Sequence, residues 1–249
     1  AAALCSAVLL WYLKAAWPKR EQWRPLIIVA LGVVVGFPLF ATVAMAYVPA
    51  SHGAIVLGIL PLATALFGAL RCGERPSVGF WIAAVLGSAL VIGFALTDDS
   101  GLERGFHWAD LSLFAAVLAA AMGYAEGARL SQSMSGHQVI SWALLIALPF
   151  LLPLTIWFGW RYGITASPRA WFGLAYVALF SMFIGFFFWY KGMALGGVAR
   201  VGQTQLLQPF MTLFGATLLL GETLQLQQIL FACAVIAVVE VGRRMPVRR

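Results

Sequence analysis

Hydrophobic residues come in long runs separated by short polar clusters. Runs at about Pro25–Tyr47, Ser51–Leu70, Ser77–Leu96, Trp108–Leu130, His137–Phe158, Ala170–Lys191, Arg200–Leu220 and Leu226–Val241 each approach the roughly 20 apolar residues that carry an α-helix across a bilayer. The chain opens apolar at Ala1 and reaches Lys14 before a full span is complete. No basic lead and no cleavage site mark a signal peptide there. The opening run is therefore expected to be part of a ninth span whose helix begins before Ala1. Composition agrees: 62% of residues are hydrophobic, 10% are charged, and mean hydropathy is +0.92. A soluble domain of this length does not look like this. The expected fold class is an all-α integral membrane bundle.

The run ARVGQTQLLQPFMTLFGATLLLGE, Ala199 to Glu222, departs from the others. It carries Gln203, Thr204, Gln205, Gln208 and Thr212, with Pro209 among them. Amides facing hydrocarbon are costly, so these side chains should meet protein or a watery cavity. At helical spacing Thr204, Gln205, Gln208, Thr212 and Gly215 share an arc of about 100°, with Gln203 off it. Two readings remain open: a solute-facing lining, and polar contacts that bind one membrane helix to another. Pro209 removes a backbone donor and frees a carbonyl one turn earlier.

Charge orients the spans. The net charge of +7 lies in loops and the tail, so it reads as topology and not as nucleic-acid binding. If nine spans alternate, Lys14, Lys19, Arg20, Arg24, Arg71, Arg75, Arg129, Lys191, Arg200 and the tail arginines fall on one side. Arg104, Arg161 and Arg169 fall on the other, with Asp98, Asp99 and Glu103. The basic side is expected to be cytoplasmic, with the C-terminus inside. The tryptophans fall near span ends, as interfacial anchors do; Trp189, beside Tyr190 and Lys191 just before the polar run, is a partial exception.

A shift of 148 residues lays Met45-Ala46 on Met193-Ala194, Pro61 on Pro209, Thr64 on Thr212, and Gly73-Glu74 on Gly221-Glu222. Leu-Phe-Gly-Ala occurs in both copies, at Leu66–Ala69 and Leu213–Ala216. Five spans separate the copies, so they are expected to insert in opposite directions, with a binding site near mid-membrane between them. The paired segments PLATALFGALRCGE and PFMTLFGATLLLGE resemble the drug/metabolite transporter superfamily, EamA type, along essentially the whole chain. The resemblance implies ten helices in two inverted five-helix repeats, alternating access, and small metabolites as substrates; the first helix would be missing here. The implied organisation is a first repeat at 1–96, an external linker at 97–106, a second repeat at 107–242 and a basic cytoplasmic tail at 243–249. Each Gly-Glu pair is read structurally. The glycine takes the left-handed position after a helix, the glutamate meets the positive start of the next helix, and Pro76 fits an early position of that helix.

No enzyme signature is visible. His52, His107 and His137 are scattered, and Cys5, Cys72 and Cys233 have neither metal nor redox spacing. No cofactor and no metal are expected. Glu126 with Arg129, and Glu240 with Arg243 and Arg244, read as interfacial ion pairs in preference to proton carriers. With no acid at mid-membrane, gradient-following transport or exchange is expected. Lys191 either snorkels to the surface or, with Arg200, attracts an anionic group. Phe183, Phe186, Phe187 and Phe188 form an aromatic wall or simply pack. At the repeat shift Thr204, Gln205 and Gln208 meet Val56, Leu57 and Leu60, so polar recognition is assigned mainly to the second half. The candidate solute contacts are Thr204, Gln205, Gln208, Thr212, Thr64, Lys191, Trp189 and Tyr190, with helix breaks at Pro61 and Pro209. The expected function is membrane transport of amino acids or related metabolites, by an exporter or facilitator. A non-transporting receptor or scaffold, and a carrier of sugar-type or drug-like solutes, are the alternatives. The expected partners are a small-molecule solute and the lipid bilayer, and a homodimer is left open.

Overall fold

The computed structural model describes residues 1–48, 53, 56–96, 108–163, 165–220 and 226–248, without the side chains of residues 95, 212, 213, 216, 219 and 220. The linker at 97–106, His52, His107, Gly221-Glu222 and Arg249 lie outside the described residues.

Among the described residues the chain is a bundle of nine helical segments. These are α1 (Ala2–Tyr12), α2 (Arg20–Met45), α3 (Leu60–Cys72), α4 (Val78–Leu96), α5 (Trp108–Leu130), α6 (Gly136–Tyr162), α7 (Pro168–Gly196), α8 (residues 198–220) and α9 (Leu226–Arg244). Five of them, α2, α5, α6, α7 and α9, are long and apolar enough to cross a membrane on their own. The helices overrun several sequence-based boundaries. The sixth continues to Tyr162 and the seventh to Gly196, because neither Arg161 nor Lys191 carries a helix-stopping conformation.

Helices α1, α2, α6 and α7 share the largest core, around Leu26, Val29, Ile140 and Tyr190. Helix α3 packs on α5 through Leu60, Ala63, Val117 and Ala121. Helices α4, α8 and α9 meet at Val91, Leu206, Phe210 and Val235. The far half of α6 and the first turns of α7 expose Phe150, Ile156, Trp160 and Phe172, a surface suited to lipid and too apolar for water. These exposed apolar spans make the chain a multi-pass membrane protein.

Two helices contain π-helical turns, Ala30–Gly36 in α2 and Val177–Ile184 in α7. The Phe37 N–H donates to the Gly32 carbonyl and the Gly185 N–H to the Phe180 carbonyl. These two five-residue bonds stand 148 positions apart in sequence. Such bulges re-aim the side chains beside them, and Phe37 follows the first directly.

The end of the bundle rich in basic residues is tied together. Arg75–Pro76 pairs antiparallel with Val247–Arg248, and Ser77 N–H donates to the Pro246 carbonyl at 2.9 Å. Arg200 Nη2 donates to the Met245 carbonyl at 3.0 Å. Pro76 is thus in a strand pair ahead of α4, which corrects the expected early-helix position: the tail's strand holds the segment extended until Val78.

Candidate solute site between the two broken helices

Helix α3 begins at Leu60 with Pro61 in its first turn, after a turn at Gly58 and Ile59. In α8, the chain runs as α-helix over Val198–Gly202, tightens to a 3-10 helix over Gln203–Leu207, and resumes as α-helix at Gln208 with Pro209 next. Proline fits the start of a helix, where its missing N–H has no partner to lose, so each proline sits where regular helix restarts. The over-wound segment corrects the 100° arc drawn for an unbroken α-helix, because a 3-10 turn advances each side chain further around the axis.

A cavity of about 370 Å³ lies between these breaks. One wall is Leu57, Gly58, Leu60 and Pro61; the other is Gln205, Leu206, Gln208 and Pro209. Each residue of the second set stands 148 positions after its partner in the first. Phe37, Val91 and Phe94 close the remaining sides. No acidic or basic side chain is among these lining residues. The volume and largely apolar lining, with two amides on one wall, suit a small organic molecule.

The amides are differently held. Gln205 is half-buried and donates through Nε2 to Thr64 Oγ1 at 3.3 Å and to the Gly202 carbonyl at 3.1 Å. Thr64 is fully buried and donates its own hydroxyl to the Leu60 carbonyl at 2.8 Å. Gln208 is exposed. Thr204 turns its hydroxyl back to the Val201 carbonyl at 2.7 Å and is absent from the cavity lining. Thr212 falls in the same helix, with its side chain outside the described part. Gln203, set aside by the wheel, is buried at 2% exposure.

Trp189, Tyr190 and Lys191 are not among the lining residues. Tyr190 is fully buried in the core shared by α1, α2, α6 and α7, and a side chain at Gly127 would collide with its ring. Trp189 stacks edge-on against Tyr124 at 5.5 Å, and Lys191 is exposed. Gly197, at φ +93°, turns the chain between α7 and α8, and Trp189 packs with Met193, Val198 and Val201 at the first turn of α8, away from the cavity lining. Phe183, Phe186 and Phe187 belong to that same core or pack against it, and Phe188 is exposed; none lines the cavity.

Glu74 is where sequence reasoning missed most. Gly73 takes the left-handed conformation, φ +70°, as the motif requires. Glu74, 3% exposed, caps a helix the motif did not indicate: its carboxylate accepts from Val198 N at 2.7 Å and Ala199 N at 2.8 Å, at the start of α8. The physics of an anion at a positive helix end holds, but the helix is one 124 residues on. Gly68 permits this approach, since a Cβ there would stand 3.0 Å from both Glu74 Oε2 and Val198 Cβ.

Both membrane-end acids are paired. Glu126, fully buried, bonds Arg71 and, through Oε2, Arg129 Nη2 at 2.8 Å. Glu240 holds Arg244 Nε at 2.9 Å and Arg243 Nη1 at 3.6 Å. Among the described residues no group of His, Cys, Asp and Glu could hold a metal ion.

The description of the EamA-like transporter family matches this chain twice, over residues 1–96 and 107–240. The chain belongs to the EamA-like transporter family. It is also similar to the uncharacterized transporter YdeK of Bacillus subtilis (strain 168), at 44% identity over 236 residues that span 95% of this chain and 81% of YdeK. A solved structure, described only as the crystal structure of a protein, superposes with a TM-score of 0.79 over 98% of this chain and 85% of its own, at 16% identity. At that identity it speaks for the fold alone. As an EamA-like protein the chain is a membrane transporter, and both the family and the relative's name point to transport rather than enzymatic catalysis.

Proposed function

We propose that this transporter moves small organic metabolites, amino acids or related compounds, across the cytoplasmic membrane by alternating access, as an exporter or facilitator. The observation that carries the reading is the cavity: both broken helices reach it at the same register, and only one of them brings amides. A solute with a polar end and an apolar body matches such a lining. The functional organisation is two repeats of opposite orientation, at 1–96 and 107–242, joined by an external linker at 97–106 and followed by a cytoplasmic tail at 243–249. Helix breaks at matched positions in two halves suit a binding site shared between them.

The test is a flux screen of the purified full-length protein in liposomes against labelled amino acids, amines, sugars and drug-like cations. Saturable flux of amino acids or close relatives is the expected result. Gln205→Leu and Gln208→Leu should each lower that flux at least about tenfold, the cost of one lost solute hydrogen bond in an apolar site, with insertion and expression intact. Normal flux in both variants would show that the amides only hold helices together.

A further inference from the structure

The Gln205 amide is not free to choose which atom it offers a solute. Thr64 Oγ1 donates its proton to the Leu60 carbonyl at 2.8 Å. A hydroxyl has one proton, so towards Gln205 this oxygen can only accept. The second neighbour, the Gly202 carbonyl, also only accepts. The amide atom lying 3.3 Å from the one and 3.1 Å from the other must therefore be Nε2, because Oε1 in that place would face two acceptors. Both amide hydrogens are spent inside the protein. Oε1 is the polar atom that Gln205 has left for the cavity it lines.

The lock spans the two halves and is tightly built. Thr64 is fully buried on α3, and a Cβ at Gly202 would come within 2.8 Å of Thr64 Cγ2, so the helices touch here only because residue 202 is glycine. The surrounding wall is apolar at Leu57, Leu60, Leu206 and Phe37. Gln208, the second amide of the wall, is exposed, so the more enclosed polar contact is the one Gln205 makes.

We propose that Thr64 is a positioning residue that fixes Gln205 with its acceptor towards the cavity, so that the site takes solutes by a hydrogen-bond-donating end, an amine or amide N–H, and disfavours a carboxylate there. This rests on the reading of the cavity as the solute site and narrows its chemistry: among amino-acid relatives, the amino end is the one recognised by Gln205.

Leucinamide and 4-methylpentanoate test it, since they share the same isobutyl body and differ in the end they present: the first carries amine and amide N–H donors, the second a carboxylate and no N–H. The full-length protein in lipid nanodiscs is titrated with each, followed by tryptophan fluorescence. The wild type should bind leucinamide roughly tenfold more tightly or better, the difference expected when a buried acceptor meets a donor rather than another acceptor. Thr64→Val frees the amide to turn and should shrink the preference to about threefold or less, whereas Thr64→Ser, which keeps the hydroxyl, should preserve it. Equal binding of the two probes by the wild type, binding of neither, or an unchanged ratio in Thr64→Val overturns the proposal. Equal loss in the Ser and Val variants also overturns it. The wild-type comparison decides even if Thr64→Val does not fold. Labelled-solute flux separates the two levels: flux without leucinamide preference sinks the proposal and leaves the transport reading standing, and no flux of any solute sinks both.

Discussion

Glu74 shows how one side chain can join distant parts of a membrane protein. Its two oxygens satisfy the first N–H groups of α8, which are buried at Val198 and Ala199 and have no helical partners of their own. Glu74→Ala leaves those donors unmet in a region closed to water and should cost about 3 kcal/mol, read as a lower midpoint of thermal aggregation in detergent. Glu74→Gln keeps acceptor oxygen but loses the charge, and its loss should be roughly half as large. A midpoint unchanged in Glu74→Ala would mean the cap contributes little. At this scale the sequence was readable where the cause is local. Gly73 has a positive φ because a left-handed residue ends a helix cheaply only if it is glycine. The partner of Glu74 was not readable, because nothing in a Gly-Glu dipeptide says which helix start will be folded against it.

Among elements, the spans themselves were legible, since the length of an apolar run is set by bilayer thickness and needs no knowledge of neighbours. The tightening of α8 over Gln203–Leu207 was not: a wheel assumes one constant twist, and the sequence of a 3-10 turn followed by Gln208-Pro209 fits an α-helix nearly as well. The same assumption placed Thr204 on the lining arc, whereas its hydroxyl turns back to the Val201 carbonyl. The π-helical turns at Ala30–Gly36 and Val177–Ile184 were equally invisible, being a shift of backbone bonding that side-chain pattern does not record. Trp189, Tyr190 and Lys191 lie off the described cavity lining for a different reason, since α7 ends before the Gly197 turn and Trp189 and Tyr190 pack into clusters of their own. The proline breaks carry their own prediction. Pro209→Ala supplies an N–H for the Gln205 carbonyl one turn earlier and favours continuous helix through the break. Flux should fall several-fold while the thermal midpoint holds or rises, and Pro61→Ala should behave alike because the same substitution acts on the facing wall. A midpoint that drops with flux would make the prolines structural only.

For the whole molecule, the distribution of charge and the tied end of the bundle bear on orientation and energy. The end that holds Arg71, Arg129, Arg200 and the Arg75–Pro76 strand pair is the one we propose to face the cytoplasm, by the excess of basic residues there. After Cys5, Cys72 and Cys233 are replaced, a cysteine at Ser135 should react with an impermeant maleimide only from inside, and one at Gly101 only from outside. Reaction of both from one face would refute the opposed orientation of the halves. Glu126 and Glu240 are committed to arginines, Glu74 caps α8, and among the described residues no acid lines the cavity. An imposed pH gradient should therefore fail to drive accumulation into liposomes without a solute gradient or counter-solute. Uptake above equilibrium would overturn this. The matched register of the two walls has a last consequence. The two walls meet the cavity at the same register, and the residues at 57, 60, 205 and 208 make one wall apolar and the other polar. On the proposed reading of the cavity, these side chains set which end of the solute meets which wall. Leu57→Gln and Leu60→Gln combined with Gln205→Leu and Gln208→Leu would turn the solute end for end inside an unchanged fold.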